Sequence, residues 1–283
     1  MLIRKVAVVF LVTLILAISA VALLGVIFIS HNSMSESTNE VGDGKNIHYG
    51  SHRQQVFDFY APTNASNTLV ILVHGGAWIA GDKNYMSEIA QYFADEGYSV
   101  VNMNYRLALV EKYPAPLEDL AMVINYIETN KTKFKLQDNY QIILIGHSAG
   151  AHISTLYGLK ESEFGTRNVD KIVGIAGPYD FVVLENQKSV SFALNLFLGQ
   201  TSKKDASPVW QIKDNETTNY LLVHGMDDEL VPLSQLTSFE TALNSKNVPV
   251  ETLIVENRNH NSILSQMPKS DIVADRITTF IEE

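Results

Sequence analysis

Short β-branched apolar runs alternate with helix-spaced stretches from about residue 56 onward, and this rhythm constrains the fold more than any other feature of the chain. Val56–Tyr60 alternates in polarity and reads as an edge strand. Leu69–Val73, Tyr98–Met103, Gln141–Ile145, Lys171–Ile175, Tyr220–Val223 and Val250–Val255 read as further strands. Helical spacing fills the gaps at Asn84–Glu96, Leu117–Thr129, Ala149–Leu159, Leu233–Lys246 and Ser270–Ile281. Strands buried on both faces need helices on both faces. The pattern therefore predicts an α/β fold with a mostly parallel central sheet covered on either side. Residues 181–215 break the rhythm. They carry Phe192, Phe197 and Trp210 between loop residues and are expected to form a small cap.

Ahead of this region lies a different kind of sequence. Val6–Ile29 is an apolar run of about 24 residues, interrupted only by Thr13, Ser19 and Gly25. At 1.5 Å per residue it is long enough for a hydrocarbon core of roughly 30 Å. Arg4 and Lys5 precede it, which favours a single-pass anchor with the rest of the chain extracytoplasmic. Cleavage near Ala20-Val21-Ala22 would instead release a secreted protein. The expected organisation is thus a transmembrane helix over 1–30, a flexible linker over 31–50 and a catalytic domain over 51–283.

Net charge is −10, and every acidic residue lies after residue 30. A nucleic-acid partner needs clustered Lys and Arg, and no such cluster occurs. The chain has no cysteine, which excludes disulfides, thiolate metal sites and cysteine nucleophiles. No metal or organic cofactor is expected.

The residues that carry chemistry begin at Gly146-His147-Ser148-Ala149-Gly150, a G-x-S-x-G pattern that follows a strand and opens a helix. In that context Ser148 stands exposed on a tight turn, as a nucleophile requires. His74-Gly75-Gly76-Ala77-Trp78 follows the Leu69–Val73 strand. Backbone N–H groups on such a glycine turn can face an oxyanion, so the expected donors are those of Gly76, Ala77 and Ala149. His74 itself reads as a structural histidine that fixes the loop.

A serine nucleophile needs a base, and the base needs an orienting carboxylate. Downstream of Ser148 stand His152, His224 and His260. His152 lies on the helix behind the serine and points into the fold, and His224 reads as a turn histidine. His260 follows the last strand in a polar loop and is the expected base. The carboxylate should come from His224-Gly225-Met226-Asp227-Asp228-Glu229-Leu230-Val231-Pro232, where spacing leaves Asp227, Asp228 and Glu229 open.

Taken together, the His74–Trp78 motif with Gly81, Asn104-Tyr105-Arg106-Leu107-Ala108, Pro114 to Asp119, and Gly146–Gly150 resemble the hormone-sensitive-lipase-like and feruloyl/acetyl-xylan-esterase-like α/β-hydrolases. The H-G-G-x-W form is also similar to kynurenine formamidases. The resemblance runs from about residue 50 to the last residue and implies the α/β-hydrolase fold. It also implies an acid loop of the form H-G-x-x-D-x-x-V-P, which selects Asp228. Asp180, in Gly177-Pro178-Tyr179-Asp180, matches a recurrent family element and reads as structural. Arg106 and Asp119 likewise read as buried framework charges. Asn104 departs from the pattern, since many relatives carry Asp there.

These readings point to a serine carboxylic-ester hydrolase acting on small, aryl or acetyl esters through Ser148, Asp228 and His260. Arylformamidase or peptidase chemistry would use the same residues. A different class, an inactive hydrolase-fold binding protein, would normally have lost the serine or the histidine.

Overall fold

The computed structural model describes residues 44–62, 67–184, 188–268 and 271–283. Eight strands form one sheet: β1 Gly44–His48, β2 Val56–Tyr60, β3 Thr68–Val73, β4 Ser99–Met103, β5 Gln141–His147, β6 Lys171–Ile175, β7 Asn219–Gly225 and β8 Val250–Val255. Their spatial order is β1-β2-β4-β3-β5-β6-β7-β8. β1 and β2 join antiparallel, as do β2 and β4, and every pairing from β4 across to β8 is parallel.

The helices are α1 Ser87–Asp95, α2 Ala115–Thr129, α3 Ala149–Lys160, α4 Phe181–Leu184, α5 Lys188–Leu198, α6 Ser234–Ser245, α7 Ser262–Ser265 and α8 Ile272–Glu282. Successive side chains of a strand point to opposite faces, and two separate cores result. Leu69, Ile71 and Val73 of β3 pack with Leu120 and Ile124 of α2, Leu156 of α3 and Phe239 of α6. Val70 and Leu72 pack with Ile89 and Phe93 of α1 and Val273 and Ile277 of α8. This double cover is why the central strands read as unbroken apolar runs.

Three expectations need correction. Val56–Tyr60 is an interior strand buried along its whole length, because β1 covers its outer edge. β1 lies inside the 31–50 segment read as a linker. Its polar composition suits an edge strand, whose outer side faces solvent. The transmembrane helix, and with it a membrane-anchored or extracytoplasmic location, is not carried by the structure. No helix among the described residues is long and apolar enough to cross a membrane. α2, at 15 residues, spans about 22 Å and buries one face on the sheet. The Val6–Ile29 run behind that expectation lies outside the described residues.

One fully buried and one half-buried ion pair brace the antiparallel side and the loop beyond β4. Asp58 of β2 meets Lys83 at 2.8 Å, with side-chain exposures of 3% and 5%. Asp119 of α2 meets Arg106 Nε at 2.8 Å and also accepts from the Arg106 backbone N–H and from Gln55 Nε2. Asn104 fits this network without a charge. Its amide donates to Asp82 and its side-chain carbonyl accepts from the Lys83 N–H. Asp58→Ala should lower unfolding free energy by about 3–5 kcal/mol, because Lys83 is left buried and unpaired. Asp58→Leu with Lys83→Met should cost less than Asp58→Ala alone, a comparison that urea denaturation of the two variants beside the parent protein measures.

Candidate active site

β3 and β5 lie side by side although the chain leaves them for opposite halves of the sheet. Crevices at the carboxyl ends of such strands are where open α/β sheets bind ligands. The parallel register pairs Val73 with Gly146, so the turns after both strands emerge together. Behind them, a Cβ on Gly150 would stand 2.0 Å from the Val73 carbonyl oxygen. Glycine is required there for α3 to start so close to β3.

Ser148 sits between β5 and α3 with φ 55° and ψ −120°, a strained turn for a residue with a side chain. Its N–H is held by the Ile175 carbonyl at 2.8 Å. Its side chain caps no helix N–H, which leaves Oγ available to other partners. The His74–Trp78 loop faces it. Gly76, Ala77 and Trp78 all have positive φ, and at Gly76 (φ 129°) a Cβ would meet the Ala80 carbonyl oxygen at 2.1 Å. The N–H groups of Gly76 and Ala77 donate to no protein group among the described residues. Ala149 is the first residue of α3, whose leading N–H groups have no partner within the helix.

The structure brings Ser148, Asp228 and His260 into one line. His260 Nε2 is 2.9 Å from Ser148 Oγ, and His260 Nδ1 is 2.7 Å from Asp228 Oδ2. The other Asp228 oxygen accepts from the N–H groups of Leu230 and Val231, each at 2.9 Å. Burial alone would raise the Asp228 carboxyl, but the His260 ring and these two N–H groups outweigh it and hold it below its ordinary value. Asp227 and Glu229 point to solvent, whereas Asp228 is buried. The loops after β7 and β8 are tied by the Asp227 N–H to the Arg258 carbonyl at 2.9 Å.

His74, His152 and His224 bond to the loops around the site. His74 stacks on Tyr105 with ring centroids 4.3 Å apart, and Tyr105 Oη donates to the His74 carbonyl. His152 accepts from Trp78 Nε1 at 3.1 Å and its Nε2 donates to the Ala206 carbonyl. Trp78 in turn stacks on Phe197 of α5 and meets Phe181 edge-on. Phe181 and Phe197 thus pack beside the His74–Trp78 loop, while Phe192 and Trp210 stay exposed. His224 Nε2 donates to the Val231 carbonyl and lies 3.4 Å from Asp228 Oδ2. Asp180 accepts from the Val182 N–H, in keeping with a structural role. Sequence reasoning missed the contact of His147 Nε2 with the His260 carbonyl, at 2.9 Å. Among the described residues no group of three or more His, Asp or Glu side chains could hold a metal ion.

With this geometry in place, comparison with known proteins identifies the family. The BD-FAE family profile matches residues 57–243. The chain belongs to the BD-FAE family. It is 27% identical over 263 residues to a probable isoprenylcysteine alpha-carbonyl methylesterase from Arabidopsis thaliana, covering 84% of this chain. The match spans 62% of that relative's length. A kynurenine formamidase from Meyerozyma guilliermondii is 25% identical, over 84% of this chain and 95% of the relative. Among solved structures, a truncated carbohydrate esterase from gut microbiota superposes with a TM-score of 0.73 at 20% identity, covering 85% of this chain and 95% of the other. That likeness shows the shared α/β-hydrolase fold.

Burial drives three histidines far below the ordinary 6.5: His74 to about 4, His147 to about 3 and His152 to about 4. They are neutral when folded and take up protons on unfolding below pH 6.5. A group depressed in the fold leaves stability whole above its unfolded value and loses it as pH falls through the folded one. The urea midpoint should therefore drop steadily as pH falls from 6.5 towards 4. A midpoint unchanged between pH 7.5 and 4.5 would contradict neutral buried rings.

Proposed function

We propose that the chain is a serine carboxylic-ester hydrolase with Ser148 as nucleophile, His260 as base and Asp228 as the orienting acid. The observation that carries this reading is the unbroken relay from Ser148 Oγ through both His260 ring nitrogens to Asp228. Ser148 Oγ attacks the ester carbonyl as His260 Nε2 takes its proton. The oxyanion that forms is met by the N–H groups of Gly76, Ala77 and Ala149. His260 then gives the proton to the leaving alcohol, and an acyl-serine remains. Water attacks the acyl-serine by the same route, with His260 again as base, and frees the acid and Ser148. The substrate is a small-molecule ester, with small, aryl or acetyl esters as the class. The catalytic domain is taken as 51–283, with β1 completing its sheet.

Arylformamidase activity is the second reading. It is favoured by the formamidase relative, nearly all of whose length is matched. An N-formyl substrate presents a carbonyl to the same serine, so parallel assays on p-nitrophenyl acetate and an N-formyl arylamine separate the two. A hydrolase-fold binding protein without activity would leave Ser148 unlabelled by a fluorophosphonate.

Ser148→Ala and His260→Ala should each lower kcat by roughly 10⁴-fold or more. Circular dichroism should stay unchanged, and near-normal ester hydrolysis by either variant would sink the assignment. The choice of acid has its own test. Loss of the orienting carboxylate leaves the imidazole in the wrong tautomer, so Asp228→Asn should fall by about 10⁴-fold in kcat. Asp227→Asn, at an exposed neighbour, should change it less than about tenfold. The reverse ranking would place the acid one residue earlier.

A further inference from the structure

We propose that His147, the residue before the nucleophile, is a positioning residue that fixes the backbone of His260 relative to Ser148. The proposal rests on the reading of Ser148, Asp228 and His260 as a triad. Its own observations are separate from that relay.

His147 is the last residue of β5 and is buried, with 7% of the residue exposed. Nε2 donates to the main-chain carbonyl of His260 at 2.9 Å, and the two rings lie 4.9 Å apart at 45°. The ring also lies beside Gly75. A Cβ built on Gly75 would stand 3.0 Å from His147 Nδ1 and 3.1 Å from Ser148 Cβ. The His147 side chain bonds to the base loop from the residue next to Ser148, and its ring fills the space a side chain at Gly75 would need.

The base loop needs such a hold. Its earlier part is tied to the acid loop through the Arg258 carbonyl and the Asp227 N–H. Its later part bonds to itself, with Asn259 Oδ1 accepting from the N–H groups of Asn261 and Ser262. Among the described residues, the hydrogen bond from the His260 main chain to β5, the strand that leads into Ser148, is the one made by His147. The imidazole is attached to that main chain through a single methylene. A backbone shift there moves Nε2 directly off Ser148 Oγ, and about 1 Å of misplacement is worth on the order of 10²-fold in rate.

The chemistry of the side chain suits the task. A neutral imidazole supplies one fixed donor and no charge. Burial, followed by the nearby His260, holds the His147 ring down to about 3, so it stays neutral while His260 cycles through its charged form. A Lys or Arg reaching the same carbonyl would oppose that charge at close range.

The test compares His147→Phe, which keeps a planar ring but donates nothing, with His147→Gln, whose side-chain amide can donate to the same carbonyl. His147→Phe should lower kcat for p-nitrophenyl acetate by about 10- to 100-fold with KM within about twofold. Labelling of Ser148 by a fluorophosphonate should slow by a similar factor. His147→Gln should recover most of both. Wild-type kcat in His147→Phe, or equal losses in Phe and Gln variants, would overturn the proposal. Should His147→Phe fail to fold, His147→Asn replaces it. Its amide is one methylene shorter than that of Gln, so Gln should exceed Asn at least fivefold, and equality again overturns the role. Ser148→Ala measured alongside keeps the two readings apart. Activity that survives it removes the nucleophile and the triad; activity abolished by it beside an unimpaired His147→Phe removes only the positioning role.

Discussion

The parallel pairing of β3 with β5 is the constraint on which the site depends. Val73 and Gly146 stand opposite each other in that ladder, so the chain leaves both strands at the same height. One turn carries Gly76 and Ala77 and the other carries Ser148. The approach is tight enough that no side chain fits at Gly150 against the Val73 carbonyl. A sheet slipped by one residue here would turn each side chain to the other face and separate the two turns. The two cores on either face make such a slip costly, because every alternate residue of β3 is committed to one of them.

Electrostatics around the relay follows a simple arrangement. One buried carboxylate, Asp228, is kept ionised by two backbone N–H groups and a ring nitrogen. The buried histidines around it, His147 and His224, are pushed towards neutrality by loss of solvent. The site thus holds one fixed negative charge with neutral donors about it. A positive charge on His260, as the proposed acyl transfer requires, would meet its counterion at 2.7 Å and no competing cation from those two rings. Oriented dipoles and neutral donors in a dry site stabilise developing charge without reorganising.

The His74–Trp78 loop is held in place by the elements around it. Three successive residues in positive φ would not persist on local preference. Trp78 is pinned by His152 and by Phe197 of α5, and His74 by Tyr105. The loop's conformation is therefore a consequence of packing by α3, by the segment after β6 and by the chain beyond β4. The same contacts explain why residues 181–215, irregular in sequence, are well buried at Phe181 and Phe197 and yet expose Phe192 and Trp210.

Much of this was legible along the chain. Seven strands and five helices follow from period and composition, since burial on both faces demands apolar runs and one-sided burial demands helical spacing. Ser148 stood out because a glycine-flanked serine between strand and helix has few structural uses, and His260 because it follows the last strand in a polar loop; the structure brings the two side chains to 2.9 Å. Local pattern did not reveal β1, whose polar residues pair only because β2 offers an unpaired edge. Nor could spacing choose among Asp227, Asp228 and Glu229. Adjacent carboxylates are chemically alike, and the choice depends on which one the turn after β7 aims at a loop 32 residues away. His147 escaped notice for the same reason. Its partner is a main-chain carbonyl 113 residues distant. Periodicity reports which face a residue occupies, whereas contacts between loops depend on how the whole sheet aligns its strand ends.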